Sequence, residues 1–487
     1  MKMEMKSFKK INMDIKKLMI LMAVLVFSLA ACHKDLGHYD INMPVEPEVT
    51  TLDSVYNAIV GDSLIIDPGV KGPPGAELEM SWKISERTGG DITYTGPKLR
   101  VIFGLAAQRY DGMLTVYNKT NGMKYFYKFK VNGATDFEKG TTVLSVENGV
   151  TQFSFIKADG TLQARLYKAM QGKDLPSDPL YLFFLRNKYT GGVMLGYWII
   201  TKHDGVRLEP NTMMEHDRYP NQLKDNFFTS PDDLEVGSLV AHEQGVMMGV
   251  VNGKFYGGTT STWDQASTYG MFGLSAEGDY DLAPSFAMAV TDPGTYFICF
   301  DKNRKQFVRI NYYGTPVYFG TQYSVEGGNI FDPMNVGMDL IKLVQLNNAD
   351  CYAIMKSADG KIYELKFNVK FTGPFSFTAQ QKREFIRPDL VTPTTKWQGA
   401  KNGVIYIASG TKVVRYNPVN QEVKDLVTNF GGKEITMLKL SEDEETLLVG
   451  TDGTIWFTNI KTGEGGSLIK KIEGIPGAPV DMAIRTN

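Results

Sequence analysis

Four segments of this chain repeat one plan of apolar strand, tight turn and second apolar strand: Thr295–Asn311, Cys351–Asn368, Gly403–Val423 and Glu445–Gly465. Counted from Tyr296 to Tyr352, Tyr406 and Leu447, the plan recurs after 56, 54 and 41 residues. One such hairpin cannot bury both of its apolar faces, so a long succession at a drifting period predicts sheets packed side by side, as in a β-propeller with four strands per unit. Residues 135–487 leave room for seven or eight units of roughly 40–50 residues, and seven is the expected number. Asp359-Gly360 and Asp452-Gly453 supply turn residues that tolerate positive φ. Sustained helical periodicity is absent apart from the short Leu162–Met170 stretch, so the fold class is all-β. The longest polar interruption, His203 to Leu234, is expected to project from one face of the propeller.

Upstream of residue 135 the scale of the pattern is different. Between 49 and 134 short β-type runs (SLIIDP, LEMSWKIS, KLRVIFG, MLTVYN, KYFYKFKV) alternate with turn signals, which predicts a small sandwich with Trp82 and Tyr110 in its core. Ahead of it, DINMPVEPE (40–48) is polar and proline-bearing and reads as a stalk.

The first 31 residues have a different purpose. Six lysines against Glu4 and Asp14 precede the apolar run LMILMAVLVFS and then Leu29-Ala30-Ala31-Cys32, the order of a secretory signal. The run is short for a permanent membrane span. Leu-Ala-Ala-Cys resembles the bacterial lipobox, which implies cleavage after residue 31, a lipid on Cys32, and a lipidated tether over 32–48 that ties the chain to the bilayer. His33-Lys34-Asp35 is similar to the export tags of surface lipoproteins, so display at the cell surface is expected over periplasmic retention. Removing a leader of charge +4 from a chain of net charge −2 leaves a body near −6. A mildly acidic body has no general attraction for phosphate backbones, and nucleic acid is not an expected partner. Three cysteines rule out a disulfide framework; Cys299 and Cys351, in apolar strand-like runs, read as buried free thiols.

The front of the body resembles the PKD-like, immunoglobulin-type domain of many Bacteroidota lipoproteins. The resemblance is carried by DLGHYDI (35–41), by Ser-Trp-Lys-Ile at 81–84, and by Tyr110-Asp111-Gly112 leading into LTVYNKTNGMKYFYKFKV. It implies an outer-membrane lipoprotein, an accessory to an uptake system built from a TonB-dependent SusC-like channel and a SusD-like lipoprotein, which binds a glycan or peptide and performs no catalysis.

The residues supply little chemistry of their own. No phosphate-cradling glycine loop occurs; Gly273-Leu274-Ser275-Ala276-Glu277 lacks the last glycine of a nucleophile elbow, and Ala241-His242-Glu243-Gln244-Gly245 has Val246 where a zinc motif needs its second histidine. Glu215-His216-Asp217 is the weak metal candidate. Asp301, Asn303 and Asp350 are scattered oxygens without a calcium loop, so a structural Ca²⁺ is unmarked and no cofactor is expected. Paired acids for glycan cleavage cannot be picked out, and a propeller-type polysaccharide hydrolase or lyase stands as the alternative, a protein-protein scaffold as the second. Aromatic side chains are the better resource. Trp263, in the polar, glycine-rich GGTTSTWDQASTYG, is the first candidate ligand contact, with Asp264 and Tyr269 as neighbours, and Trp397 is the second. Trp198 and Trp456 read as core.

Overall fold

The computed structural model describes residues 44–86, 90–105, 107–289, 295–347, 350–371 and 374–486. The signal segment, Cys32 and the start of the tether lie outside the described residues.

Between residues 48 and 134 the chain forms a sandwich. One sheet has five strands, in the order Val55–Ile59, Met123–Ala134, Arg109–Asn118, Leu78–Glu86 and Gly90–Thr95; Ser63–Ile66 pairs with Leu99–Ile102 on the other side, and Glu48–Val49 pairs with Val70–Lys71. Period-two patterning decides which face is buried: Tyr110, Leu114 and Val116 of one strand point inward with Trp82, Ile84, Phe129 and Val131, against Leu64, Ile66 and Leu99. The indole N–H of Trp82 donates to the Gly96 carbonyl at 3.0 Å, so the buried ring loses no hydrogen bond. Both Trp82 and Tyr110 are core residues, as expected.

From Gly140 onward the described residues form seven further sheets in chain order. Sheet one contains Gly140–Glu147, Val150–Lys157 and Leu162–Gln163; sheet two Pro179–Asn187, Val193–Thr201 and Gly205–Leu208; sheet three Val236–Ala241, Met247–Val251 and Lys254–Gly257. Sheet four runs from Ala287–Met288 to Pro316–Gly320, sheet five from Ser324–Glu326 to Ser376–Glu384, sheet six from Lys396–Gly399 to Glu422–Asp425, and sheet seven from Ile435–Leu440 to Ser467–Glu473. The last strand of the chain, Ala478–Arg485, returns to pair antiparallel with Gly140–Val146 and completes sheet one. Among the described residues no sheet closes on itself into a barrel.

Closure is instead between sheets. Tyr197 and Ile199 of sheet two pack on Leu144, Phe153 and Phe155 of sheet one, whereas Trp198 and Ile200 of the same strand pack on Val236, Leu239 and Val251 of sheet three. Phe297 and Cys299 face sheet three, Ile298 and Phe300 face sheet five; Tyr352 and Ile354 face sheet six; Tyr406 and Ala408 face sheet seven. Met437, Leu448 and Ile455 of sheet seven then pack on Val143, Ile156 and Met482 of sheet one. Seven apolar interfaces thus join seven sheets into a ring. Middle strands buried on both faces become continuous apolar runs, which is why CYAIM and YFICF show no polar alternation; each large side chain removed from water contributes about 1.5–3 kcal/mol.

All four hairpins read from the sequence are present. Four strands per unit is not uniform: sheets two and three have three strands and sheet five has five. The stretch 203–234 does not project as expected. It contributes the strand Gly205–Leu208 and returns by way of the bridges Leu208↔Glu215 and Val206↔Gln222, burying Met213, Leu223 and Phe227. The buried apolar side chains of the stretch, Val206, Leu208, Met213, Tyr219, Leu223, Phe227 and Leu234, keep neither a strand nor a helix period, so they do not show as a pattern. The short helical stretch is a single helix, Leu166–Gln171. Trp198 is fully buried, while Trp456 is half-buried with its N–H on the Thr451 hydroxyl at 2.9 Å. Cys299 and Cys351 are fully buried, which pushes both thiols far above their ordinary range.

Candidate functional site

Sheets two and three present their connecting loops at one end of the ring, and those loops are tied together. Asn187 ends the first strand of sheet two and caps the turn Lys188–Thr190 by accepting from the Tyr189 N–H at 3.1 Å. The Lys188 N–H donates to the Glu243 carbonyl at 2.8 Å, and the Lys188 ammonium meets the Glu243 carboxylate at 3.0 Å. Gly245, at φ 75, lets the facing turn approach this closely, since a Cβ there would lie 3.0 Å from the Asn187 nitrogen.

Across this junction lies the loop that carries Trp263. Trp263 and Asp264 both have left-handed backbone, φ 50 and 64, and neither is glycine. Each such residue costs about 1 kcal/mol, so the conformation persists only if the surroundings hold it. They do so through Asp264. Its carboxylate accepts from the Thr190 hydroxyl at 2.5 Å and from the Asn187 amide at 3.1 Å, and its carbonyl accepts from the Arg218 guanidinium at 2.7 Å and the Tyr219 hydroxyl at 3.1 Å. The outcome is a Trp263 ring 50% exposed beside a Tyr189 ring 59% exposed, edge to face at 6.5 Å. Two rigid rings pushed into solvent on a braced loop form a surface for stacking on a flat apolar partner, and Glu243, which accepts from the Tyr189 hydroxyl at 3.2 Å, adds a polar edge.

Next to the platform is a cleft of about 620 Å³ between sandwich and ring, with Val60, Gly104 and Leu105 on one side and Met194, Asn211, Met214, Arg218 and Tyr219 among the residues of the other. Arg218 belongs to both, lining the cleft while bracing Asp264. A separate depression of about 420 Å³ lies on the outer face of the sandwich among Lys83, Asp111, Lys128 and Lys130, a solvated charged sheet surface.

The sequence-derived candidates separate on this geometry. Trp263 is exposed. Asp264 is occupied as the brace of its neighbour. Tyr269 is corrected to a core residue: it is 1% exposed, accepts from the Asn187 amide at 3.0 Å and donates to the Gln244 carbonyl at 2.5 Å. Trp397 stands apart on the first strand of sheet six, half-buried against Phe385 at 5.9 Å. Glu215, His216 and Asp217 do not converge. The Glu215 carboxylate accepts from the Tyr167 hydroxyl at 2.6 Å and pairs with Lys173 at 2.7 Å, while Asp217 points to solvent. His216 is buried edge-on against Tyr219, and burial, with Arg207 and Arg218 nearby, brings its pKa down to about 4. Among the described residues no three His, Cys, Asp or Glu side chains are grouped to hold a metal ion. Asp301 is buried near Arg304, and Asp350 pairs with Lys366 at 2.9 Å. Tyr189, Asn187 and Arg218 were missed by sequence reasoning; the available signal was an aromatic between a polar strand end and Gly191-Gly192.

Residues 32–179 match the PKD-like family model, which takes in the sandwich and the start of the ring. No curated protein matches the chain. Among solved structures it is similar to a quinonprotein alcohol dehydrogenase-like protein from Bacteroides thetaiotaomicron, at 15% identity and TM-score 0.41 over 90% of this chain and 99% of that one. It is also similar to a protein of unknown function from Desulfotomaculum acetoxidans (11%, 0.41, 71% and 98%) and to the extracellular domain assigned to a one-component system of B. thetaiotaomicron (11%, 0.42, 77% and 54%). At these scores the likenesses assign no activity to this chain.

Proposed function

We propose that the ring is a seven-bladed β-propeller carried on the PKD-like sandwich, and that the chain is an extracellular binding protein which holds a glycan on the Tyr189–Trp263 face. The single observation behind this reading is the pair of exposed rings kept outward by a strained backbone that four hydrogen bonds brace. Strain maintained at a solvent-facing aromatic has no value to the packing of the core, which points to a ligand. Pyranose rings offer the flat C–H faces that indoles and phenols stack on, and Glu243 and Lys188 stand where hydroxyl groups would meet them. By the PKD-like match and the lipobox resemblance, Cys32 carries the lipid that anchors the protein in the outer membrane, facing outward, as an accessory to a SusC/SusD-like uptake system.

The test is to incubate the chain with a panel of neutral and acidic polysaccharides and of peptides, following retardation and product release together. Glycan retardation without new reducing ends, lost in Trp263→Ala, is the expected result. Retardation by peptides alone would replace the glycan with a peptide ligand, and release of reducing ends would overturn the binding role in favour of a hydrolase or lyase.

A further inference from the structure

The strand Gln306–Tyr312 of sheet four turns alternate side chains to its two neighbours. Val308, Ile310 and Tyr312 pack toward sheet three, and Phe307 packs toward sheet five. Arg309 and Asn311 therefore stand with Phe307 on the side of sheet five, and Tyr313 follows them where the strand ends. Tyr296, which is paired with Asn311 across the sheet and packs on the same side, meets the Tyr313 ring edge to face at 5.4 Å. Val317, the partner of Asn311 on the next strand, is 47% exposed, and Tyr313 is 63% exposed.

Arg309 is held in place from three directions. Its Nε donates to the carboxamide oxygen of Asn311 at 2.9 Å, and its guanidinium carbon lies 4.5 Å from the centroid of the Phe319 ring and 4.6 Å from that of Phe375, which belongs to sheet five. The two rings satisfy the faces of the guanidinium and none of its N–H edges. Among the described residues no carboxylate pairs with it and its two terminal nitrogens have no acceptor. Burial draws its pKa down from the ordinary arginine value, as expected for a half-buried cation without a counter-charge. A guanidinium fixed in this way presents a planar fork of donors, which a carboxylate completes. Four residues further along, after about 13 Å of strand, the exposed Tyr313 ring offers a flat apolar surface. An occupant of both therefore carries a carboxylate and, one or two units away, a flat C–H face. A chain of sugar acids has both on every unit, whereas an acidic peptide holds its carboxylates on flexible stems and brings no flat face.

We propose that the junction of sheets four and five binds an acidic oligosaccharide, a chain of uronic acid units, with the carboxylate of one unit on Arg309 and the ring of another on Tyr313. The site is separate from the Tyr189–Trp263 face and stands whether or not that face holds a glycan.

The experiment is site-resolved phenylglyoxal modification of the arginines in the detergent-solubilised full chain, read by peptide mass spectrometry. The probes are tetragalacturonate, tetramannuronate, neutral galactotetraose, tetraglutamate and sulfate, at constant ionic strength in chloride. At least one of the two uronate chains is expected to slow modification of Arg309 by about fivefold or more, with exposed Arg100 unaffected and the other three probes giving no comparable protection. Tyr313→Ala is expected to lower that protection, with an affinity reduced about fivefold, and Arg309→Gln to weaken binding of the same uronate chain in calorimetry by at least about tenfold. No protection of Arg309 by either uronate chain at about 10 mM, protection confined to Arg218, or equal protection by galactotetraose would overturn the proposal. So would equal protection by tetraglutamate, which would make the occupant an acidic peptide, or by sulfate, which would make it any small oxyanion. Because the labelling is read on the unaltered chain, its outcome stands even where a variant fails to fold.

Discussion

The ammonium of Lys439 in sheet seven lies 2.7 Å from the carboxylate of Asp481 in sheet one. The other oxygen of that carboxylate accepts from the Leu182 N–H of sheet two at 2.9 Å, so one side chain ties three sheets where the ring closes. Asp481→Ala leaves the Leu182 N–H without its acceptor and the partly buried Lys439 ammonium without its counter-charge, with the Met482 carbonyl as its remaining acceptor, and is expected to destabilise the chain by about 2–4 kcal/mol. Asp481→Asn retains an acceptor and should cost less. Urea unfolding checks both, and an alanine variant within about 0.5 kcal/mol of the unaltered chain would remove Asp481 from any part in closure.

The platform and its brace should separate in a paired experiment. Trp263→Ala removes an exposed ring from a loop whose hydrogen bonds go elsewhere, so stability is expected within about 0.5 kcal/mol of the original while glycan retardation is lost. Asp264→Ala removes the acceptor of the Thr190 hydroxyl and one of the two acceptors of the Asn187 amide and should cost about 1–3 kcal/mol as well as weaken retardation, because only the two hydrogen bonds to the residue 264 carbonyl then hold the left-handed pair. Equal stability of the two variants would show that the Asp264 carboxylate does not hold the loop.

The ring was legible because its middle strands carry their own signal: CYAIM, YFICF and VIYIA are apolar at every position, as strands packed on both faces must be. The stretch 203–234 was illegible for the converse reason, since its buried side chains, Met213, Tyr219, Leu223 and Phe227 among them, are irregularly spaced amid polar residues. Trp263 could be singled out because a tryptophan in a polar loop has no strand to bury it. Tyr269, in the same loop, looked equivalent, but its burial depends on Asn187 and Gln244, residues 82 and 25 positions away. Contacts at such separations leave no local pattern.

His216 gives the cleft a pH dependence of definite sign. In the unfolded chain its pKa is near the ordinary 6.5, whereas burial and the nearby Arg207 bring it to about 4 in the fold. The unfolded state therefore takes up a proton first. The contribution is complete above pH 6.5 and is lost as the pH falls toward 4, by up to about 3 kcal/mol. His216→Gln cannot take up that proton, so the difference in unfolding free energy between variant and original should change by this amount between the two ends of the window. Denaturant titrations across the range measure it, and parallel curves for the two proteins would contradict the assignment.

Thiol chemistry reads both the core and the anchor. Cys299 and Cys351 are at 0% exposure in the interfaces of sheet four with sheet three and of sheet five with sheet four, and burial raises both thiols far above neutrality. A thiol in that state is protonated and out of reach, so neither should react with an aromatic disulfide reagent until the ring opens. If Cys32 is a thioether in the cell-derived protein, the native chain should release no chromophore and the denatured chain should release two equivalents, one for each of the described free cysteines. A third equivalent, appearing in the native chain as well, would mean that Cys32 is unmodified and that the lipid anchor is wrong. A native release traced to Cys299 or Cys351 by peptide mapping would mean instead that the interfaces between sheets open on the timescale of the reaction.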